Sequence, residues 1–289
     1  MPLVPMTEML ADAREKRYAV GCFNSIDLQM ARGILMAAEA ERSPVIICHA
    51  ESHFCYTPLE KIVPVLVHEA KSATVPVAVL LDHGESIDTV SKAMHLGLNA
   101  VMFDGSGHTY EHNIEKTQEV VKMAKALHVC VEGELGRVPR PKSGGTGSED
   151  DSIIHDSSLL TDPDMAFDFV QRTGIDVLAC AFGTMHGVYL EKPKLDFARL
   201  REIAQKTSLP IVMHGGSGLS QTDFEEAIEN GVCKINCYTN MALKIAGDIQ
   251  KKCEQQDRCF YHEITQWTIE SVREYVQDTI RIFRSSGKA

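Results

Sequence analysis

Short, nearly continuous runs of apolar residues recur along this chain, and each is followed by a stretch with helical spacing of apolar and charged positions. The runs are AVGCFN (19–24), PVIICHA (44–50), VPVAVLLD (75–82), AVMFDG (100–105), VCVEGELG (129–136), VLACAFG (177–183), PIVMHGG (210–216) and VCKINCYT (232–239). Strands covered on both faces read as unbroken apolar runs, whereas a half-solvated strand alternates. The stretches between them, such as IDLQMARGILMAAEAE and SIDTVSKAMHLGLN, are amphipathic. Strands alternating with helices imply parallel βαβ units. Eight such units predict an α/β protein of the closed (β/α)8, or TIM-barrel, type; a doubly wound open sheet is the architectural alternative. From about residue 241 the pattern is helical and reads as an extension of the last barrel helix.

The chain has 289 residues. A barrel of this type takes about 250, so one domain spanning 1–289 is expected, with no second domain and no low-complexity tail. Nearly every predicted strand ends in a polar residue: Asn24, Asp82, Asp104, Glu134, His214 and Asn236. Barrel active sites form at the carboxyl ends of the strands, so these residues predict a site distributed around one rim. The stretch RVPRPKSGGTGSEDDSIIHD (137–156) follows strand five and is too long for an ordinary βα turn. It reads as an active-site loop, or else as a surface insertion.

Three of the twelve histidines stand out by position. His83 follows strand three, His186 follows strand six and His214 ends strand seven, each close to a glycine. Far apart in sequence, they would converge on one barrel mouth. Three imidazoles with an open fourth position are a catalytic zinc arrangement, and zinc there acts as a Lewis acid. Any one of them alone is more often a hydrogen-bonded rim residue. Asp82, beside His83, suits proton transfer to a metal-held substrate, or a hydrogen bond that orients a ligand histidine. Asp104 and Glu134 form either a secondary metal site or a salt-bridged rim pair. Glu149, in the long loop, is a candidate proton shuttle or a solvated charge.

The loops after strands seven and eight commonly hold phosphate in barrel enzymes. Here they read GGSG (215–218), containing Gly215, Gly216 and Ser217, and NCYTN (236–240), containing Thr239. Glycines admit an anion to backbone N–H groups, and the two hydroxyls add donors. Backbone cradles of this kind are compatible with the formal net charge of −11. That charge, with no Lys/Arg cluster, argues against nucleic acid and anionic membrane as partners. Nine cysteines at irregular spacing, most inside apolar runs, read as reduced thiols of a cytoplasmic protein. No signal-peptide or membrane-span pattern is present.

The segments LLDHG, FDGS, VEGELG, the SED of the long loop, GTMHGVY, HGGSG and KIN with a Thr three residues beyond the Asn resemble the class II fructose-bisphosphate and tagatose-bisphosphate aldolases. The likeness runs along almost the whole chain, from Phe23–Asn24 onward. It implies that His83, His186 and His214 bind Zn2+, that Asp82 exchanges a proton with the C4 hydroxyl, and that Glu149 handles the proton at the enediolate carbon. It implies a dihydroxyacetone-phosphate site at Asn24, Gly187, Gly215, Gly216, Ser217, Asn236 and Thr239. It also implies a monovalent cation (Na+ or K+) near the phosphate, a phosphorylated sugar as substrate, and a homodimer or homotetramer. The chemistry agrees: cleaving C3–C4 requires taking the C4 hydroxyl proton and parking an electron pair, which zinc on the ketone and its neighbouring hydroxyl accommodates.

Four positions depart from the family pattern. Cys48 and Ala50 align where Gln and Ser are usual near the end of strand two, Tyr238 stands where Asp, Asn or Ala is common, and Asn240 replaces an acid. The loop around 140–147 is also lengthened. These departures fall where the aldehyde half or the phosphate would sit, so a ketose 1-phosphate or bisphosphate other than the fructose compound is the expected substrate. The competing readings are a non-catalytic sugar-phosphate-binding paralogue and a zinc hydrolase on the same barrel. The hydrolase usually needs an HxH pair on strand one, which AVGCFN lacks.

Overall fold

A computed structural model describes residues 3–140, 156–189 and 191–289. All eight apolar runs form strands: β1 (Val20–Asn24), β2 (Val45–Ala50), β3 (Val77–Gly84), β4 (Ala100–Phe103), β5 (Cys130–Leu135), β6 (Val177–Cys180), β7 (Ile211–Met213) and β8 (Val232–Cys237). Every neighbouring pair is parallel, and β8 pairs with β1 to close the barrel. The closed barrel excludes the open sheet. All strand residues are buried except the half-buried Asn236, as two-sided burial requires.

Helices α2 (Leu28–Glu41), α3 (Leu59–Ser72), α4 (Ile87–His95), α5 (Tyr110–Leu127), α6 (Pro163–Thr173), α7 (Phe197–Thr207) and α8 (Gln221–Glu229) follow the first seven strands. Their apolar faces meet the outward strand residues, such as Ile47, Val79, Val101 and Leu178, in one continuous cluster. At the rim, Asp27, Ser86, Thr109, Asp162, Asp196 and Ser220 cap the helices that follow them through their side chains, satisfying N–H groups that a helix start leaves bare.

A second apolar cluster fills the barrel interior and contains Cys22, Ile46, Cys48, Leu80, Met102 and Ala179. It also contains Met6, Met9, Leu10 and Ala13 of an N-terminal helix, α1 (Met6–Lys16). Helix α1 therefore plugs the mouth opposite the predicted site.

The expected C-terminal helical extension is built of two helices. α9 (Thr239–Glu254) ends, the chain turns, and α10 (Tyr261–Ile282) runs back. α10 buries Ile269, Val272, Val276 and Ile280 and packs against α2, α9 and α8. It thereby fills the last place in the helix ring, between α8 and α2. Gly33 of α2 makes this possible: a Cβ there would lie 2.6 Å from Val272 Cβ and 2.8 Å from the Ile269 carbonyl. Among the described residues, no helix is long and apolar enough to cross a membrane.

Candidate metal centre and surrounding cavity

The three singled-out histidines come together. Ring centroids of His83 and His214 are 4.5 Å apart, those of His83 and His186 5.0 Å, and those of His186 and His214 5.8 Å. One nitrogen from each lies within 4.8 Å of the others. On each of these rings one buried nitrogen has no hydrogen-bond partner among the described residues: His83 Nε2, His186 Nε2 and His214 Nδ1. A buried polar atom left bare costs about 1–3 kcal/mol, so three facing one point call for an explanation. Neutral imidazoles with converging lone pairs fit a zinc-like ion.

The outer nitrogens of two rings are held by carboxylates, which fixes the tautomer that a metal ligand needs. His83 Nδ1 meets Asp104 Oδ2 at 2.7 Å, and His214 Nε2 meets Glu132 Oε1 at 3.0 Å. Burial, and after it the neighbouring His83, keeps His186 and His214 below the ordinary histidine range. Burial opposes charge on His83 too, but Asp82 and Asp104 outweigh it and raise its pKa. Asp104 is held well below the usual carboxylate range: burial pushes it up, and the His83 contact more than reverses that. Glu134 is pushed up to about 8 by burial and by Asp104 beside it. Asp104, Glu134 and His83 also bring one ligand atom each within 4.8 Å of one another. Arg140 approaches Asp104 at 3.5 Å, so the pair is both a potential ligand set and part of an ion-pair cluster.

Asp82 and His83 both face the cavity, although successive strand residues point to opposite faces. His83 resolves this by taking φ 47°, a left-handed conformation rare outside glycine, and the pairing of β3 with β4 slips between Leu81 and Gly84. His83 is thus a residue of β3 itself, where the sequence pattern ended the strand one residue earlier.

A cavity of about 390 Å³ opens beside the cluster, lined by His83 and His186. Its lining includes Asn24, Asp82, Gly187, Gly215, Gly216, Ser217, Asn236 and Thr239, so the expected substrate positions share one space. Asp82 Oδ1 accepts from Asn236 Nδ2 at 2.9 Å. Gly215 has φ 70°, and a Cβ there would sit 2.3 Å from the Met185 carbonyl; no side chain fits. The first turn of α9 begins at Thr239 with no side-chain cap from Tyr238, and apart from the Asn240 N–H, which meets Ser217 Oγ at 3.4 Å, it offers N–H groups to an anion at the positive end of a helix dipole. Glu149 lies outside the described residues.

Several residues in or beside the site were not read from the sequence. Tyr189 accepts from Met185 N at 2.9 Å and donates to the Gly215 carbonyl at 2.8 Å, tying the loops after β6 and β7 together. Its signal was the Tyr of GTMHGVY. His53, Tyr56 and Tyr238 form an aromatic wall, with His53 4.4 Å from Tyr238 and 6.1 Å from Tyr56. Burial and the neighbouring His49 lower the His53 pKa to about 4. Arg140 also lines the cavity. Tyr238 is the departure from the family pattern noted in the sequence, whereas His53, Tyr56 and Arg140 sit in no spacing pattern that names them.

A closed (β/α)8 barrel with three bare imidazole nitrogens, a carboxylate and a glycine-lined helix start on one rim defines a class of protein: a barrel with a candidate metal site beside an anion cradle. Comparison with known proteins narrows it. The family model described as "Fructose-bisphosphate aldolase class-II" matches residues 4–288. A probable fructose-bisphosphate aldolase of Bacillus subtilis is 40% identical over the full length of both chains, and a fructose-bisphosphate aldolase of Staphylococcus epidermidis is 37% identical, again over the full length of both. The crystal structure of the YdjI aldolase of Escherichia coli K12 superposes with TM-score 0.85 at 33% identity, covering 99% of each chain. A putative fructose-1,6-bisphosphate aldolase of Coccidioides immitis gives TM-score 0.88 at 26% identity, covering 98% of this chain and 97% of that one. The chain belongs to the class II fructose-bisphosphate aldolase family, whose chemistry is that of an aldolase, a carbon–carbon lyase.

Proposed function

We propose that this protein is a zinc-dependent aldolase that reversibly splits a phosphorylated ketose into dihydroxyacetone phosphate and an aldehyde. The observation that carries this is the set of three buried imidazole nitrogens with no partner among the described residues, two of whose rings, His83 and His186, line the cavity that also holds Asp82 and the start of α9. His83, His186 and His214 would hold the ion. When bound, it supplies Lewis acidity to the ketone and its neighbouring hydroxyl, which lets the C3–C4 electron pair be accommodated.

The remaining work falls to the chain's own groups. Asp82 takes the C4 hydroxyl proton during cleavage and returns it during condensation; its Oδ1 is held by Asn236, leaving the other oxygen for substrate. Gly215, Gly216 and Ser217, with the first turn of α9, receive the phosphate, and a monovalent cation would sit against the bound phosphate. Glu149 is the proposed second acid/base, acting at the carbon released from the bond. The aldehyde half lies against Cys48, Ala50, His53, Tyr56 and Tyr238, a wall of ring faces and small side chains. We propose on this basis that fructose 1,6-bisphosphate is not the preferred substrate. A homodimer or homotetramer, cytoplasmic and bound to neither nucleic acid nor membrane, completes the reading.

The test is dihydroxyacetone-phosphate release from a panel of ketose 1-phosphates and 1,6-bisphosphates, with and without a chelator. Chelator-sensitive release from any member supports the assignment. Ordinary aldolase efficiency on fructose 1,6-bisphosphate sinks the substrate proposal. No release across the panel, with one zinc bound per subunit, favours a binding paralogue.

A further inference from the structure

Beneath the cavity floor lies a charged group that touches no solvent. Lys234 sits on β8, two residues below Asn236 on the same strand face, and is fully buried among the apolar side chains of the barrel interior. Burying an ammonium costs several kcal/mol unless its partners are well placed. Its Nζ donates to Asn236 Oδ1 at 2.7 Å and ion-pairs with Glu132 Oε2 at 2.8 Å; Glu132 is equally buried. Each partner leads on to the site. Glu132 Oε1 is 3.0 Å from His214 Nε2, and Asn236 Nδ2 donates to Asp82 Oδ1 at 2.9 Å. One ammonium stands at the fork of two branches, one ending on a proposed zinc ligand and the other on the proposed acid/base.

The donor and acceptor inventory gives each branch a direction. An ammonium only donates. The atom of Asn236 facing it must therefore be the amide oxygen, and the amide NH2 is left pointing at Asp82. On the other branch, a carboxylate ion-paired with lysine only accepts. It calls for a hydrogen on His214 Nε2, which leaves the lone pair on Nδ1, the nitrogen that has no partner. Resting on the zinc reading above, we infer that Lys234 is a positioning residue: through Glu132 it sets which nitrogen of His214 is free for the metal, and through Asn236 it sets the orientation of Asp82. Lys234 touches neither metal nor substrate, and its fork couples the two halves of the site.

The experiment compares wild type, Lys234→Met, Glu132→Gln and the double variant Lys234→Met/Glu132→Met. Zinc affinity is read by chelator competition, and kcat and KM are read on zinc-saturated protein. Lys234→Met is expected to weaken zinc binding by about 10–100-fold. Zinc-saturated, it is expected to lose kcat on the order of 100-fold, through a misplaced Asp82, with KM little changed. Glu132→Gln touches the histidine branch and is expected to weaken zinc with a smaller loss of saturated kcat. The double variant replaces the buried ion pair by apolar side chains of similar volume, an exchange that is often neutral for stability. It keeps the question answerable if Lys234→Met alone fails to fold. Both losses should persist in it. Wild-type zinc affinity and saturated kcat in the double variant, or in a folded Lys234→Met, would show that Lys234 is merely structural and overturn the inference. A wild type that neither binds zinc nor releases dihydroxyacetone phosphate overturns the underlying reading, and this inference with it.

Discussion

Two sequence neighbours, Asp82 and His83, reach one cavity because a single residue adopts φ 47°. That arrangement separates their proposed roles cleanly, one taking a proton and the other holding an ion. Asp82→Asn keeps the size and the contact to Asn236 but removes the base. Cleavage should fall by about 10²–10⁴-fold while zinc content, read by atomic absorption, stays at wild type. Loss of zinc in parallel would assign Asp82 to the metal instead. A second residue-scale expectation concerns His53, whose folded pKa of about 4 lies below its ordinary 6.5. As pH falls through that window the unfolded chain takes up a proton that the folded protein refuses, so folded stability declines. Removing the imidazole in His53→Gln removes that decline. Urea midpoints of chelated wild type and variant, compared at about pH 7.5 and about pH 5, should converge or cross toward acid. A constant difference would contradict it. Legibility at this scale followed chemistry: His83, His186, His214 and Asp82 were readable because His and Asp at the ends of buried strands lack a packing reason. Lys234 and Glu132 were hidden, because a charge inside an apolar run is paired across the barrel, which no local pattern reveals.

Strands were the most legible elements, since burial on both faces leaves an unbroken apolar run. α1 was not, because its apolar residues, Met6, Met9, Leu10 and Ala13, face a barrel mouth and carry no strand or rim signal. The turn after Glu254 was also missed: QQDR reads as solvated helix, and the reversal is dictated by the groove that α2 and α8 leave for α10. That groove has little slack at Gly33. In Gly33→Ala the gain in helix propensity, about 1 kcal/mol, competes with overpacking against Val272 and a backbone carbonyl, about 1–3 kcal/mol. The expected outcome is a loss of roughly 1 kcal/mol, seen as a lower urea midpoint with unaltered zinc stoichiometry. A stabilised variant would mean that α10 shifts without penalty. Gly215→Ala should act differently, displacing the Met185 carbonyl and raising KM for phosphorylated substrate more than it lowers the midpoint.

At the scale of the whole molecule, the proposed ion binds a site that exists only when β3 and the loops after β6 and β7 have met. Its binding energy is therefore folding energy. Zinc at 100 times its dissociation constant adds about 2.7 kcal/mol, so the melting temperature should climb with zinc concentration and fall on chelation. His214→Ala should abolish that dependence, and a melting temperature indifferent to zinc in wild type would refute the metal site.

The position of α10 also bears on how the protein comes into being. β1 accepts its last neighbour from β8, the Ala19 amide bonds the Phe283 carbonyl, and the Gly287 amide bonds the Glu41 carbonyl. β1 and α2 are synthesised well before β8 and α10, which cover them. At about 5–20 residues per second, the apolar flank of α2 waits many seconds for α10, and a chain halted before α10 leaves that flank uncovered.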